Sequence, residues 1–374
     1  MKKSLHNPKE LKQLVDVLEY QDSVKKDLVL DSAKHLHFIG GQLVLLDGKK
    51  KIKLNPTEHF HTQVAEKFDI PRGYYKKMLA DATKLLDSNV NHWLKSESKN
   101  LLLRTFQGGA DYYKSTARAL LSDRYSMIDN YAVLMEALEA IKETGLKIEV
   151  VNAELSETRM YLKVVCPDVE IKAKELLYMN RQSVDLGVGV ISGFTLSNSE
   201  IGAGSFKITP RGVVLACTNG LISTKDELKN IHLGSKMEQL GFDKNKDVMR
   251  ANLKLIREQI KHAVKIFLSK EYLKKLIDVY KQLGDKPIEA PIEKVIQVVG
   301  KEYQISDERK SSILKYFIEG GDTRRMGLAS AMTREVQDLQ NADQKHETEV
   351  ASFDMLNNFD AIEKAAFKIK ISAS

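Results

Sequence analysis

Apolar and polar positions alternate at a period of two through much of the first 240 residues, and recur at helical spacing beyond about Gly241. The most constrained alternating stretch runs from Gly187 to Gly220 and reads as two strands joined by a polar, glycine-containing link. In the first strand Val188, Val190, Phe194 and Leu196 share one face, while Gly187, Gly189 and Gly193 fall on the other with Ile191. Glycines confined to one face let another group approach the backbone closely. Paired as an antiparallel hairpin, the strands put Ser197-Asn198-Ser199-Glu200 in the link and Thr218-Asn219-Gly220 at the opposite end.

The rest of the chain falls into order around this hairpin. An amphipathic helix fits Pro8 to about Glu19, and short strands fit His35–Ile39, Gln42–Leu46 and the residues around Ile52 and Leu54. Asn55-Pro56-Thr57-Glu58 is a helix start with Asn55 as the cap. It opens a helix through Phe60, Val64, Ala65 and Phe68, and a second follows through Tyr74, Tyr75, Met78 and Leu79. This pair has the apolar spacings of a helix-turn-helix, with Arg72, Lys76 and Lys77 on the second helix. A plain helical hairpin on a sheet explains the same positions, and Asp69 stands where the usual turn glycine would be. Strands return at Leu101–Phe106 and Tyr113–Leu121, a helix at Tyr131–Thr144 closed by Gly145, and strands again at Leu146–Val151 and Arg159–Cys166, the last broken by Pro167. Arg159, Tyr161 and Lys163 oppose Met160, Leu162, Val164 and Cys166.

From Val248 to Phe267 two stripes run along one helix. Leu253, Ile256, Ile260, Val264 and Phe267 are apolar; Arg250, Lys254, Arg257, Lys261 and Lys265 flank them. The expected fold is α+β: a mostly antiparallel twisted sheet with packed helices, then a helical C-terminal region. Its parts are an N-terminal extension over 1–54, a core domain over 55–240 and helices over 241–374 packed on that core.

Composition narrows the function classes. The 374 residues carry 58 Lys+Arg against 51 Asp+Glu, a net charge of +7, which favours a polyanionic partner. Cys166 and Cys217 each lie in an apolar run and read as buried thiols in a reducing compartment. No apolar run reaches the length of a membrane span, so a cytoplasmic protein with no membrane partner is expected. The pairs His35/His37 and His59/His61 lack acidic or cysteine companions at metal spacing, and no Walker-type phosphate loop occurs; no metal and no cofactor are expected.

Two chemical readings remain. Asp123, Arg124, Asn198, Glu200 and Asn219 could converge as acid, base and amide at strand ends, although Asp and Asn also simply build turns. Alternatively Arg104, Arg118, Arg124, Arg159, Lys163 and the helical stripe from Arg250 to Lys265 line a groove for nucleic acid. Tyr112, Tyr113, Tyr125 and Tyr161 would offer stacking faces there, while a solvated helix flank is the plainer account of the stripe.

Three pieces resemble the phage/plasmid-like protein family, a large family of unknown function. They are Arg118-Ala119-Leu120-Leu121-Ser122-Asp123-Arg124-Tyr125 with Ile128-Asp129-Asn130; Leu196-Ser197-Asn198-Ser199-Glu200-Ile201-Gly202 followed by Cys217-Thr218-Asn219-Gly220; and Gly327–Thr333 with the acidic helix after it. The resemblance spans roughly residues 55 to 360. It implies a role in a mobile element's DNA metabolism or its contest with a bacterial host, and supplies no catalytic residues. The expectation is therefore a non-enzymatic nucleic-acid-binding protein, single-stranded DNA favoured, acting alone or as a homo-oligomer. The alternatives are an enzyme acting on nucleic acid or nucleotide at the polar strand ends, and a protein that engages a host factor.

Overall fold

Alternation in the first third of the chain is satisfied by one sheet and alternation in the middle third by another. The computed structural model describes residues 10–108, 114–125, 127–173, 188–214, 220–230 and 246–369. Helix α1 (Leu11–Val24) leads into strand β1 (Lys25–Asp31), the single turn α2 (Ser32–His35), and strands β2 (Leu36–Ile39), β3 (Gln42–Asp47) and β4 (Lys50–Pro56). Three helices follow, α3 (Glu58–Lys67), α4 (Arg72–Asp81) and α5 (Thr83–Ser96), then β5 (Asn100–Gln107) and β6 (Ser115–Ser122). These strands form a six-stranded sheet in the order β1-β5-β6-β4-β3-β2, antiparallel except where β4 meets β6.

Residues 1–54 were expected to form an extension outside the core domain. They supply β1–β3 and most of β4 of this six-stranded sheet, and the boundary placed at residue 54 runs through β4. Two further expectations change here. Thr57, not Asn55, caps α3, accepting a hydrogen bond from Phe60 N at 3.2 Å, while Asn55 and Pro56 still pair with β6. Helix α5, with Leu86, Val90 and Leu94 buried, has no counterpart among the expected elements. Because Thr57 Oγ1 also donates to Arg118 O, Thr57→Ala should cost about 1–2 kcal/mol, read as a lower denaturant midpoint at unchanged slope.

The second sheet follows α6 (Asn130–Glu143). It contains β7 (Glu149–Leu155), β8 (Met160–Ala173), β9 (Val188–Asn198), β10 (Phe206–Val214), β11 (Gly220–Ile222) and β12 (Leu228–Asn230), in the order β11-β10-β9-β8-β7 with β12 on β10. The expected hairpin is β9–β10, antiparallel from Lys207↔Ser197 to Val214↔Val190, with Phe194 fully buried. The group that approaches Gly193 is the neighbouring strand itself: a Cβ there would lie 2.2 Å from Val164 O. Strand β8 is not broken at Pro167. Its register with β9 shifts between Cys166 and Glu170, a bulge that accommodates a residue lacking an N–H.

The remaining helices are α7 (Lys246–Phe267), α8 (Lys270–Gly284), α9 (Ile292–Glu302), α10 (Asp307–Gly320), α11 (Arg325–Glu335), α12 (Ala342–Asn357) and α13 (Phe359–Lys368). The chain is thus α+β with a helical C-terminal region, but with two sheets where one was expected. Ile256, Ile260, Val264 and Phe267 of α7 join Phe194, Leu196 and Leu162 in the larger core, which also takes Leu14, Val17 and Leu18 of α1. A second core lies between the first sheet and α3–α5.

Candidate functional site

The link between β9 and β10 is where the two sheets meet, and of the sequence-selected residues Arg104, Arg118, Asn198, Ser199 and Glu200 gather there. Asn198 is fully buried; its Nδ2 donates to Ile128 O at 2.9 Å and to Asn130 Oδ1 at 2.8 Å. Glu200 is buried beside it. One carboxylate oxygen meets Arg118 Nη2 at 2.5 Å, and the other accepts from Asn130 N at 2.8 Å, so a residue 70 positions away satisfies the first N–H of α6. Asp129 stands at the N-cap position of α6, but its side chain makes no capping bond. Its carboxylate pairs with Arg104 Nη2 at 2.6 Å and with Lys25 Nζ at 2.7 Å.

Arg104 is 0% exposed, with Nε and Nη2 on the two oxygens of Asp27 at 2.9 Å each and Nη1 on Glu200 O at 2.5 Å. Three cations, Lys25, Arg104 and Arg118, therefore face three carboxylates, Asp27, Asp129 and Glu200. Burial raises the Asp129 carboxyl, but Arg104 and Lys25 outweigh it and hold it at about 2. For Glu200, burial is likewise outweighed by Arg118 and Arg104, and its carboxyl stays below the ordinary range. The first sheet grips the same link through Gln63 Nε2 and His59 Nε2, both on Ile201 O, and through Tyr125 OH on Ser199 O at 3.3 Å. Ser199 Oγ accepts from Ala203 N. Of the turn after β6, Ser122 Oγ accepts from Arg124 N, and Ser122 and Arg124 are exposed with Asp123 half-buried. Asn219 lies outside the described residues, and Gly220 opens β11.

The basic groove is not assembled. Arg104 and Arg118 are buried in the joint and held by carboxylates, and Arg118 lies 4.0 Å from the centre of the Phe106 ring. Lys163 is buried under α12, its Nζ 3.0 Å from Glu349. Arg159 is half-buried and donates to Ala203 O. On α7, Arg257 meets Glu136 and Glu139 of α6 at 3.2 and 3.0 Å and also Glu143, while Lys261 meets Glu143 at 2.6 Å. Only Arg250, Lys254 and Lys265 of that stripe are exposed. Of the expected stacking faces, Tyr161 is buried and Tyr125 clamps the link, while Tyr112 and Tyr113 lie outside the described residues. In the helix-turn-helix-like pair, Asp69 takes the left-handed turn position at φ 50°, and Arg72 and Lys76 of α4 pair with Glu66 and Glu58.

A denser group of exposed cations sits elsewhere. The β3–β4 turn at Asp47-Gly48 is followed by Lys49, Lys50, Lys51 and Lys53, all exposed and none in an ion pair among the described residues. Lys51 and Lys53 share the face of β4 opposite Ile52 and Leu54. The first half of β4 pairs with β3 alone, because its contact with β6 is confined to Asn55 and Pro56. The signal was open to view in the sequence as four lysines among five residues beside a turn. With this geometry described, comparison gives no relative: no model of a known protein family, no curated protein and no solved structure matches the chain.

Proposed function

We propose that the chain binds nucleic acid, with single-stranded DNA as the first candidate, through the β3–β4 hairpin. The observation that carries this reading is the set of unpaired lysines at 49, 50, 51 and 53, spread over about 13 Å of extended chain. A lysine with no carboxylate partner can neutralise a strand phosphate and displace its condensed counterion, the salt-dependent part of nucleic-acid binding. The net charge of +7 agrees with a polyanionic partner. Motif resemblance to phage/plasmid-like proteins supports a setting in a mobile element's DNA metabolism, in the cytoplasm of a bacterial host. No helix among the described residues is long and apolar enough to cross a membrane. Catalysis at the strand ends draws less support, because both carboxylate oxygens of Glu200 are engaged within the protein.

The test is a salt titration with single- and double-stranded DNA. For single strands, log K against log salt should fall by about 0.7 per phosphate neutralised. Changing Lys49, Lys51 and Lys53 together to Gln should shallow that slope by about two units, equally across sequences, with stability changed by no more than about 0.5 kcal/mol. An unchanged slope would remove the hairpin from the interface, and no binding at low salt would end the nucleic-acid reading.

A further inference from the structure

The polar face of the second sheet, carrying Tyr161, Lys163, Thr195 and Arg211, is covered by α12, and at one end this cover opens into a cleft of 590 Å³. Small-molecule sites occupy roughly 300–1,000 Å³, so the space suits a metabolite. Its sheet side carries Arg159, Ser197 and Lys207; its helical side carries Glu302, Glu347 and Asp354, and also Arg309, whose guanidinium is taken up by Glu335. A cationic floor against an acidic wall discriminates against a polyanion and suits a molecule with opposite polarities at its two ends.

Two observations mark the cleft as more than a gap between helices. His346 lines it, is 8% exposed, and leaves Nδ1 buried with no hydrogen-bond partner, a condition native interiors seldom tolerate. Burial, reinforced by Lys163, Arg211 and Lys207 against the pull of Glu349, holds its imidazole down to about 4, so at neutral pH the ring is uncharged. Gln304, also on the lining, stands at φ 54°, a left-handed conformation that non-glycine residues adopt at a cost and that gathers at binding sites. The floor is shaped by Gly204 as well: a Cβ there would come within 2.9 Å of Arg159 Nε.

We propose that this cleft binds a small molecule whose phosphate or carboxylate group lies against Arg159 and Lys207, and whose amino or hydroxyl end faces Glu302, Glu347 and Asp354, with His346 of α12 on its lining. Lys207 is held by Glu227 at 3.1 Å and Arg159 faces Glu347 at 3.7 Å, so both cations are positioned, and an ammonium Nζ has donors beyond a single carboxylate. The site is separate from the lysine hairpin and does not depend on it.

The experiment follows the ring resonances of His346 in the full chain while inorganic phosphate, malonate or O-phosphoethanolamine is added. A saturable shift is expected, with O-phosphoethanolamine saturating at lower concentration than inorganic phosphate because it also supplies the amine. Saturation by malonate and not by phosphate would assign a carboxylate to the same position. Lys207→Gln should weaken binding about tenfold or more, the loss of one charge-assisted contact. Gly204→Ala should weaken it as well while keeping every charge, because it displaces the Arg159 guanidinium. Unchanged His61 resonances would show that each variant is folded, and Lys49, Lys51 and Lys53 changed to Gln should leave binding intact. No saturable shift with any of the three probes, or equal affinity in the parent and both folded cleft variants, would overturn the proposal.

Discussion

Glu200→Gln is expected to lower the free energy of unfolding by about 3–5 kcal/mol. The carboxylate is the shared partner of Arg118 and of the first N–H of α6, and it lies close enough to Arg104 to be stabilised by it. Glutamine fills the same volume but leaves three cations, two of them buried guanidiniums, facing two carboxylates where three stood. Since whole domains are stable by only about 5–15 kcal/mol, the variant should sit near the edge of folding. Denaturant unfolding measures the loss, and amide exchange at Asn130 locates it, because that N–H loses its charged acceptor. A change no larger than that of an exposed substitution, about 0.5 kcal/mol, would mean the joint does not depend on this charge.

A loss of similar size, about 3–5 kcal/mol, is expected for Glu349→Ala in the second buried network. Glu349 Oε1 accepts from Lys163 Nζ at 3.0 Å and Arg211 Nη2 at 3.3 Å, and Arg211 Nη1 reaches Thr195 Oγ1 at 3.1 Å. Removing the acid strands two buried cations. Replacing all three charged residues by Met or Leu should cost much less, and a triple variant as unstable as the single one would contradict this account. The two networks also set the response to acid. Burial raises the Glu349 carboxyl, but Lys163 and Arg211 hold it at about 2, and Asp129 is held at the same level. Each contribution is therefore complete above the ordinary carboxylate value and is lost as pH falls from about 4 toward 2. His61 and His346, both depressed to about 4 chiefly by burial, act earlier: the unfolded chain takes up their protons below about pH 6.5 and the folded chain does not. Stability should decline first between about pH 6.5 and 4, and His61→Gln should flatten that stage.

Local pattern was sufficient for β9, for the first half of β8 and for α7. The alternation of Val190, Phe194 and Leu196 specified β9 and its buried face, and the opposition of Tyr161 and Lys163 to Met160, Leu162 and Val164 specified β8. The stripe from Ile256 to Phe267 specified the buried side of α7. These follow from periods of 2 and 3.6, which a residue and its near neighbours determine between them. The lysines after Gly48 were equally legible, because an exposed hairpin needs no distant partner to keep its charges in water.

What tertiary structure alone decided was the fate of the other charges and the number of sheets. Arg104 meets Glu200 across 96 positions, and Lys163 meets Glu349 across 186. A cation on an alternating strand looks the same in sequence whether the facing helix brings a carboxylate or solvent. Arg257 and Lys261 have the spacing of a phosphate-binding stripe, but α6 lays Glu136, Glu139 and Glu143 against them. The allocation of β1–β4 to one sheet with β5 and β6 depends in the same way on pairing between segments up to 81 residues apart, as in Lys25 with Phe106. Period fixes which face of an element is buried; only the long-range packing that brings distant segments together determines what lies against that face, and hence whether its polar groups are free to bind.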